Sequence, residues 1–167
     1  MTQDSGSVWW QGLVAGLIGY AVLALFFGVV NLLLGESFFH TAAMLGHALT
    51  GTEPAAGAEV RAAPVFAYNG VHLLLFLVFG FVAAWLVEET ERHPLFWYLV
   101  FFALMVGLFY NVVLATLFTL PVAAAEISWL TIVLANLAAG AAMGWYLVRR
   151  HPGFLDEVEA GGDPEGV

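Results

Sequence analysis

Long apolar stretches separated by short polar segments make up most of the chain. Four of these stretches, residues 8–34, 65–87, 95–120 and 127–148, contain no charged residue. A helix of about 20 residues is long enough to cross the roughly 30 Å hydrocarbon core of a bilayer. The pattern therefore predicts an all-α integral membrane protein with four transmembrane helices.

The polar segments between the stretches differ in length, and this difference predicts how the helices are arranged. Residues 35–64 form a long first connection, whereas residues 88–94 and 121–126 are short. Short connections join helices that are antiparallel neighbours. We therefore expect an antiparallel four-helix bundle in a single membrane domain, residues 1–154, followed by an acidic C-terminal tail, residues 155–167.

The long first connection contains a further helical pattern at about residues 36–50. At 100° per residue, one side of this helix carries polar or sulfur-containing side chains within an arc of about 80°. These side chains are Glu36, His40, Met44 and His47. The opposite side carries Phe38, Leu45 and Leu49. Such a pattern is typical of an amphipathic helix that lies in the membrane interface.

The polar face of this helix is also a candidate metal or haem site, because His, Met and Glu are metal ligands. His40 and His47 are seven residues apart, which separates their Cα atoms by about 10.5 Å along a straight helix. One ion cannot easily bind both, so a third ligand would have to come from His72, Glu53 or a partner chain. The pattern favours a plain interfacial helix; a metal site and a helix that docks a partner subunit are the alternatives.

Each predicted span contains one asparagine, and a histidine follows one of them by three residues. Counting from the predicted outer ends of the spans places these side chains in the outer half of the bilayer, where they define a candidate polar or ligand-binding layer. The layer consists of Asn31, Asn69, His72, Asn111 and Asn136. Hydrogen bonding between helices is the favoured interpretation, because asparagines commonly have this role in membranes. The alternative is a pocket for water or for the head group of a quinone or a pigment.

Small residues recur at helical spacing in the first and last spans. In the first span they are Gly12, Gly16 and Gly19, and in the last span they are Ala135, Ala139, Gly140 and Gly144. Small residues four apart let two helix backbones approach closely. The spacing predicts helix packing within the chain or against another subunit.

Composition and charge narrow the classes of protein that fit. The chain is 62% hydrophobic and 10% charged, which is typical of an integral membrane protein. Four arginines, no lysine and a net charge of −9 exclude a basic surface of the kind that binds nucleic acid. The absence of cysteine excludes c-type haem attachment and a cysteine-held iron–sulfur cluster. The sequence requires no cofactor, and the identity of any bound one is unknown.

The arginines also predict the orientation of the chain. Arg92, Arg149 and Arg150 lie on the side of the two termini, whereas only Arg61 lies on the other side. Cytoplasmic segments are enriched in Lys and Arg. We therefore expect both termini in the cytoplasm.

The sequence contains no motif for nucleotide binding, serine hydrolysis or zinc-dependent hydrolysis. Acidic residues within the spans, which a proton or cation pathway needs, are absent too. We therefore expect a non-enzymatic accessory or structural subunit of a larger membrane complex. Its partners would be the lipid bilayer and other membrane subunits, or further copies of this chain. The alternative is a small protein that binds a quinone, pigment, haem or metal in the polar layer, or a minor transporter.

Overall fold

The computed structural model of the protein describes residues 5–52, 60–90 and 128–151. Within these ranges the chain is helical and forms no strand. The helices are α1 (Ser5–Leu33), α2 (His40–Thr50), α3 (Ala62–Thr90) and α4 (Trp129–Arg150).

Three of the helices contain stretches that are long and apolar enough to cross a membrane. These stretches are Val8–Leu33, Ala62–Glu88 and Leu130–Arg150. The described residues thus confirm the prediction of an all-α protein with several helices long and apolar enough to span a membrane. The span predicted at residues 95–120 lies outside the described residues, together with Asn111 and the acidic tail.

The helix predicted at residues 36–50 begins later than expected, at His40. Gly35 has a φ of +82°, which glycine adopts readily because it has no Cβ. The chain therefore turns after α1 instead of entering a helix at once. The amide of Glu36 donates to the carbonyl of Asn31 across this turn, at 2.9 Å.

Helices α1 and α3 are antiparallel and approach closely through glycines. Gly12 lies against Phe81, and Gly16 lies against the backbone of Phe76. From the other side, a Cβ atom on Gly80 would overlap the backbone of both Gly12 and Gly16. The two helices can therefore pack at this distance only because these positions lack side chains.

Helix α4 packs antiparallel on another side of α1 and makes few contacts with α3. Gly19 of α1 lies against the side chain of Met143. Ala135 and Ala139 are fully buried, with 0% and 1% of their surface exposed. They belong to a core that is shared with Ala15 and Leu23 of α1.

The small residues of α4 divide between two faces. Ala135 and Ala139 belong to the buried core, whereas a Cβ atom on Gly140 or Gly144 would meet nothing within 4 Å among the described residues. Successive residues of a helix are separated by about 100°, so Gly140 points well away from Ala139. The spacing in the sequence does not reveal this division.

Helix α2 packs mainly against α3. The contact is close at Gly46, where an added Cβ would overlap the carbonyl of Pro64. The buried residues of α2 are Thr41, Ala43, Gly46 and His47. Leu49 of the predicted apolar side, by contrast, is about half exposed. The division into polar and apolar faces that the sequence predicts is therefore not the division between exposed and buried residues.

One end of the helix assembly carries exposed tryptophans. It is formed by the start of α1 and by the ends of α3 and α4, and its tryptophans are Trp9, Trp10, Trp85 and Trp145. The guanidinium of Arg149 lies over the ring of Trp145, 4.1 Å from its centre. Helix α2 lies at the opposite end.

Candidate functional site

A cleft of about 670 Å³ lies between α1, α3 and the segment that contains α2. Its wall is mainly apolar and aromatic, with Leu23, Phe27, Phe38, Phe39, Phe66 and Leu73 among the lining residues. Polar side chains also face it: Tyr20, Thr41, Tyr68, Asn69 and His72. No Asp, Glu, Lys or Arg lines the cleft in the part of the chain that the structure describes.

Tyr20 and Asn69 join the two long helices at the cleft. The hydroxyl of Tyr20 donates a hydrogen bond of 2.9 Å to Oδ1 of Asn69. The amide Nδ2 of Asn69 donates in turn to the carbonyl of Val65, at 2.8 Å. Both polar ends of the Asn69 side chain are therefore held, and this residue links the helices as expected for an asparagine within the membrane.

A ladder of rings runs along α3 beside this pair. The rings of Tyr68 and His72 are 4.7 Å apart, and those of His72 and Phe76 are 5.7 Å apart. Residues four apart are neighbours on a helix surface, which explains the ladder. Within the described residues, the Tyr68 hydroxyl and the His72 imidazole have no hydrogen-bond partner.

Asn31 lies next to the cleft and holds two of its lining residues in place through hydrogen bonds. Its side chain is 4% exposed. Its Nδ2 donates to the carbonyl of Phe38 at 3.1 Å, and its Oδ1 accepts from the hydroxyl of Thr41 at 2.8 Å. Asn31 therefore ties the end of α1 to the start of α2, which sets the position of Phe38 and Thr41 in the cleft wall.

Asn136 lies away from the cleft. It is exposed, and its Nδ2 donates to the carbonyl of Ile132 in its own helix, at 2.8 Å. Counting seven residues from the contact between Gly19 and Met143 places Asn136 level with Phe26 of α1. The structure thus brings Asn69 and His72 of the predicted layer together in one cleft and places Asn31 beside it. Asn136 lies on another side of the helix assembly.

The two histidines among the candidate metal ligands of residues 36–47 contact different side chains and do not converge on one site. Nδ1 of His40 lies 3.3 Å from Oε2 of Glu36, and both side chains are exposed. His47 is buried, with Nδ1 2.8 Å from the hydroxyl of Thr52. No group of three His, Asp or Glu side chains positioned to hold an ion occurs in residues 5–52, 60–90 and 128–151.

Tyr20, Tyr68 and Thr41 are cleft residues that sequence reasoning missed. Tyr68 could have been found, because it precedes His72 by one helical turn. The partner of Tyr20 is 49 residues away in the sequence, and only the packing of α1 against α3 brings the two together.

Comparisons of the chain with protein-family models, with curated proteins and with solved structures give no match.

Proposed function

We propose that the protein is a non-enzymatic membrane protein that holds a small lipophilic molecule in the cleft between α1, α2 and α3. The observation that carries the proposal is the pair formed by the Tyr68 hydroxyl and the His72 imidazole. Both line the cleft without a hydrogen-bond partner among the described residues. His72 lies ten residues into α3, about 15 Å from its start, and is within the hydrocarbon region of the bilayer in this proposal. A bound molecule with hydrogen-bonding groups would give these two side chains partners, and a hydrogen bond usually contributes about 0.5–1.5 kcal/mol.

The size of the cleft supports this assignment. Its volume of about 670 Å³ lies within the range of roughly 300–1,000 Å³ that is usual for small-molecule sites. Such sites combine a mainly apolar wall with a few polar groups that orient the ligand. The phenylalanines and the cluster of Tyr20, Tyr68, Asn69 and His72 have this composition.

The direction of the helices supports a four-span architecture. Helices α3 and α4 are both antiparallel to α1, so they run in the same direction. The chain that joins them has to return from one end of the helix assembly to the other, and residues 95–120 are the apolar stretch available for this crossing. The protein is thus an antiparallel four-span bundle in this proposal.

The exposed aromatic residues support the placement of the bundle in the bilayer. Tryptophans are enriched at membrane–water interfaces, and basic residues at the cytoplasmic face. The end that carries Trp9, Trp85 and Trp145 also carries Arg149, and in this proposal it is the cytoplasmic end. Helix α2 lies in the opposite interface, with the exposed rim residues Phe39 and Leu49 in contact with lipid.

A second candidate function, an accessory subunit of a larger membrane complex, is favoured by one face of α4. Asn136, Gly140 and Gly144 lie four residues apart on this face. Asn136 is exposed, and both glycines have open space beside them within the described residues. An asparagine next to small residues is suited to packing against another transmembrane helix.

Native mass spectrometry of the detergent-extracted protein tests both candidates, because it reports bound small molecules and subunits together. The cleft is blocked in Gly70→Phe: Gly70 lines the cleft, and a Cβ there meets nothing within 4 Å of the described residues. Leu74→Phe is the matched control, because Leu74 lies one turn along α3, is 62% exposed and does not line the cleft.

The cleft proposal expects a small molecule on the native protein and on Leu74→Phe, and its loss from Gly70→Phe. Retention of the molecule by Gly70→Phe overturns the proposal. If the native protein carries no small molecule and is extracted together with a constant set of larger subunits, the cleft proposal is wrong and the accessory-subunit function is supported instead.

A further inference from the structure

We infer that the molecule bound in the cleft is a neutral, lipophilic ring compound that carries carbonyl or hydroxyl groups, of the quinone or quinol class. Tyr68 and His72 are the residues that recognise it. This inference rests on the proposed function, because it names the ligand class of the same cleft.

The hydrogen-bonding capacity of the cleft points to such a ring. Asn69 already accepts from Tyr20 and donates to Val65, whereas Tyr68 and His72 have no hydrogen-bond partner among the described residues, so we assign the recognition to these two. A phenolic hydroxyl can donate and accept, and a neutral imidazole has one donor and one acceptor nitrogen. A ring carbonyl accepts from either residue, and a ring hydroxyl both donates and accepts.

The charge of the cleft disfavours lipids with an anionic head group. A phosphate or carboxylate head group would lose its hydration without meeting a cation, since no Lys or Arg is among the described lining residues. An unpaired charge in an apolar site is strongly disfavoured. A plain hydrocarbon is a poor match as well, because it leaves Tyr68 and His72 without hydrogen bonds.

The arrangement of the wall fits a planar head group with an apolar chain. The two polar residues lie side by side on α3, and their rings are tilted by 35° to each other. Phe27 and Phe66 add aromatic surface from α1 and α3, and aromatic rings pack well in offset or edge contacts. The ring of the ligand lies against Tyr68 and His72, and its apolar chain follows the phenylalanine wall.

Photo-crosslinking with competition tests this assignment on the full chain in detergent. The probe is an alkylated benzoquinone that carries a photoreactive azide, and its crosslinks are mapped by mass spectrometry. The competitors are an alkylated benzoquinone and an alkylbenzene with the same chain. The protein contains neither cysteine nor lysine, so quinone addition to those side chains does not interfere.

We expect crosslinks on the cleft wall, and a half-competing concentration at least tenfold lower for the quinone than for the alkylbenzene. Tyr68→Phe and His72→Phe each raise that concentration for the quinone about fivefold, as expected for one lost hydrogen bond. His72→Gln, which keeps a donor and an acceptor, restores part of the affinity. Asn136→Ala, outside the cleft, leaves it unchanged.

Two results separate the ligand class from the cleft itself. If the alkylbenzene competes as well as the quinone, or if Tyr68→Phe has no effect, the ligand class is wrong although the cleft still binds. If Gly70→Phe leaves the crosslinks in place, the probe binds elsewhere and the proposed function fails too. Tyr68→Phe preserves the shape of the side chain, so it remains informative if His72→Phe does not fold.

Discussion

The hydroxyl of Tyr20 donates a 2.9 Å hydrogen bond to Oδ1 of Asn69, and so joins the middle of α1 to α3. On the cytoplasmic side of this bond in the proposed orientation, the helices touch through Gly12, Gly16 and Gly80. On the other side they border the cleft. The bond thus lies where close helix packing gives way to an open site.

A double-mutant cycle between Tyr20→Phe and Asn69→Leu should show a coupling free energy of about 0.6 kcal/mol, as is usual for hydrogen bonds between membrane helices. Unfolding of the purified protein by added denaturing detergent measures it. Tyr20→Phe combined with Asn136→Leu is the control, because Asn136 bonds within its own helix. Additive effects in the first pair would contradict a functional bond across α1 and α3.

Gly80→Ala should lower the free energy of unfolding by about 1–3 kcal/mol, the usual effect of overpacking. The added Cβ would overlap the backbone of Gly12 and Gly16. Gly70→Ala is the matched control in the same helix. It has open space in the described structure, and its change in helix propensity is the same. Equal stability of the two variants would show that α1 and α3 do not pack through glycine.

Asn31→Ala should loosen α2 more than any other described helix. The change removes a partner from the buried Thr41 hydroxyl and from the carbonyl of Phe38, which is unfavourable by about 1–3 kcal/mol. Hydrogen exchange measured by mass spectrometry should become faster over residues 40–50 and stay unchanged in α4. Uniformly faster exchange would indicate a general loss of stability instead.

The contact between Gln11 and His151 holds the end of α4 against α1, with Nε2 of His151 2.6 Å from Oε1 of Gln11. His151 is only 3% exposed. Gln11→Ala should therefore lower stability by about 1 kcal/mol and speed hydrogen exchange in the last turn of α4. Gln11→Glu keeps an acceptor oxygen and should have the smaller effect; an equal effect would argue against this contact.

The proposed orientation can be tested by cysteine labelling, because the native chain has no cysteine. Arg61→Cys, at an exposed charged position directly before α3 and at the same end as α2, should react with a membrane-impermeant maleimide on intact cells. Val167→Cys, in the C-terminal tail, should react only after the membrane is permeabilised. The reverse pattern would place both termini outside.

The sequence was sufficient to predict the described spans, because each is an uninterrupted apolar run whose length matches a bilayer. It also indicated that Gly12 and Gly16 suit close packing, although not that Gly80 would lie opposite them. The predicted start of α2, at about residue 36, is four residues earlier than the observed start at His40. The hydrophobic pattern contains no signal for the left-handed turn at Gly35. For the polar layer, the depth of each side chain in the bilayer could be counted from the span ends. The direction in which each side chain faces could not, because it depends on the rotation of the helix about its axis.

The sequence by itself therefore determined the class of the protein, an all-α chain with long apolar spans, since hydrophobicity and length depend only on local composition. Tertiary structure decided which polar side chains meet. Asn69 and His72 line one cleft with Tyr20 and Tyr68, whereas Asn136 lies on a different face. The reason is geometric: contacts between residues tens of positions apart depend on how each helix is rotated and how the helices cross, and the packing of α3 and of α4 against α1 decides both.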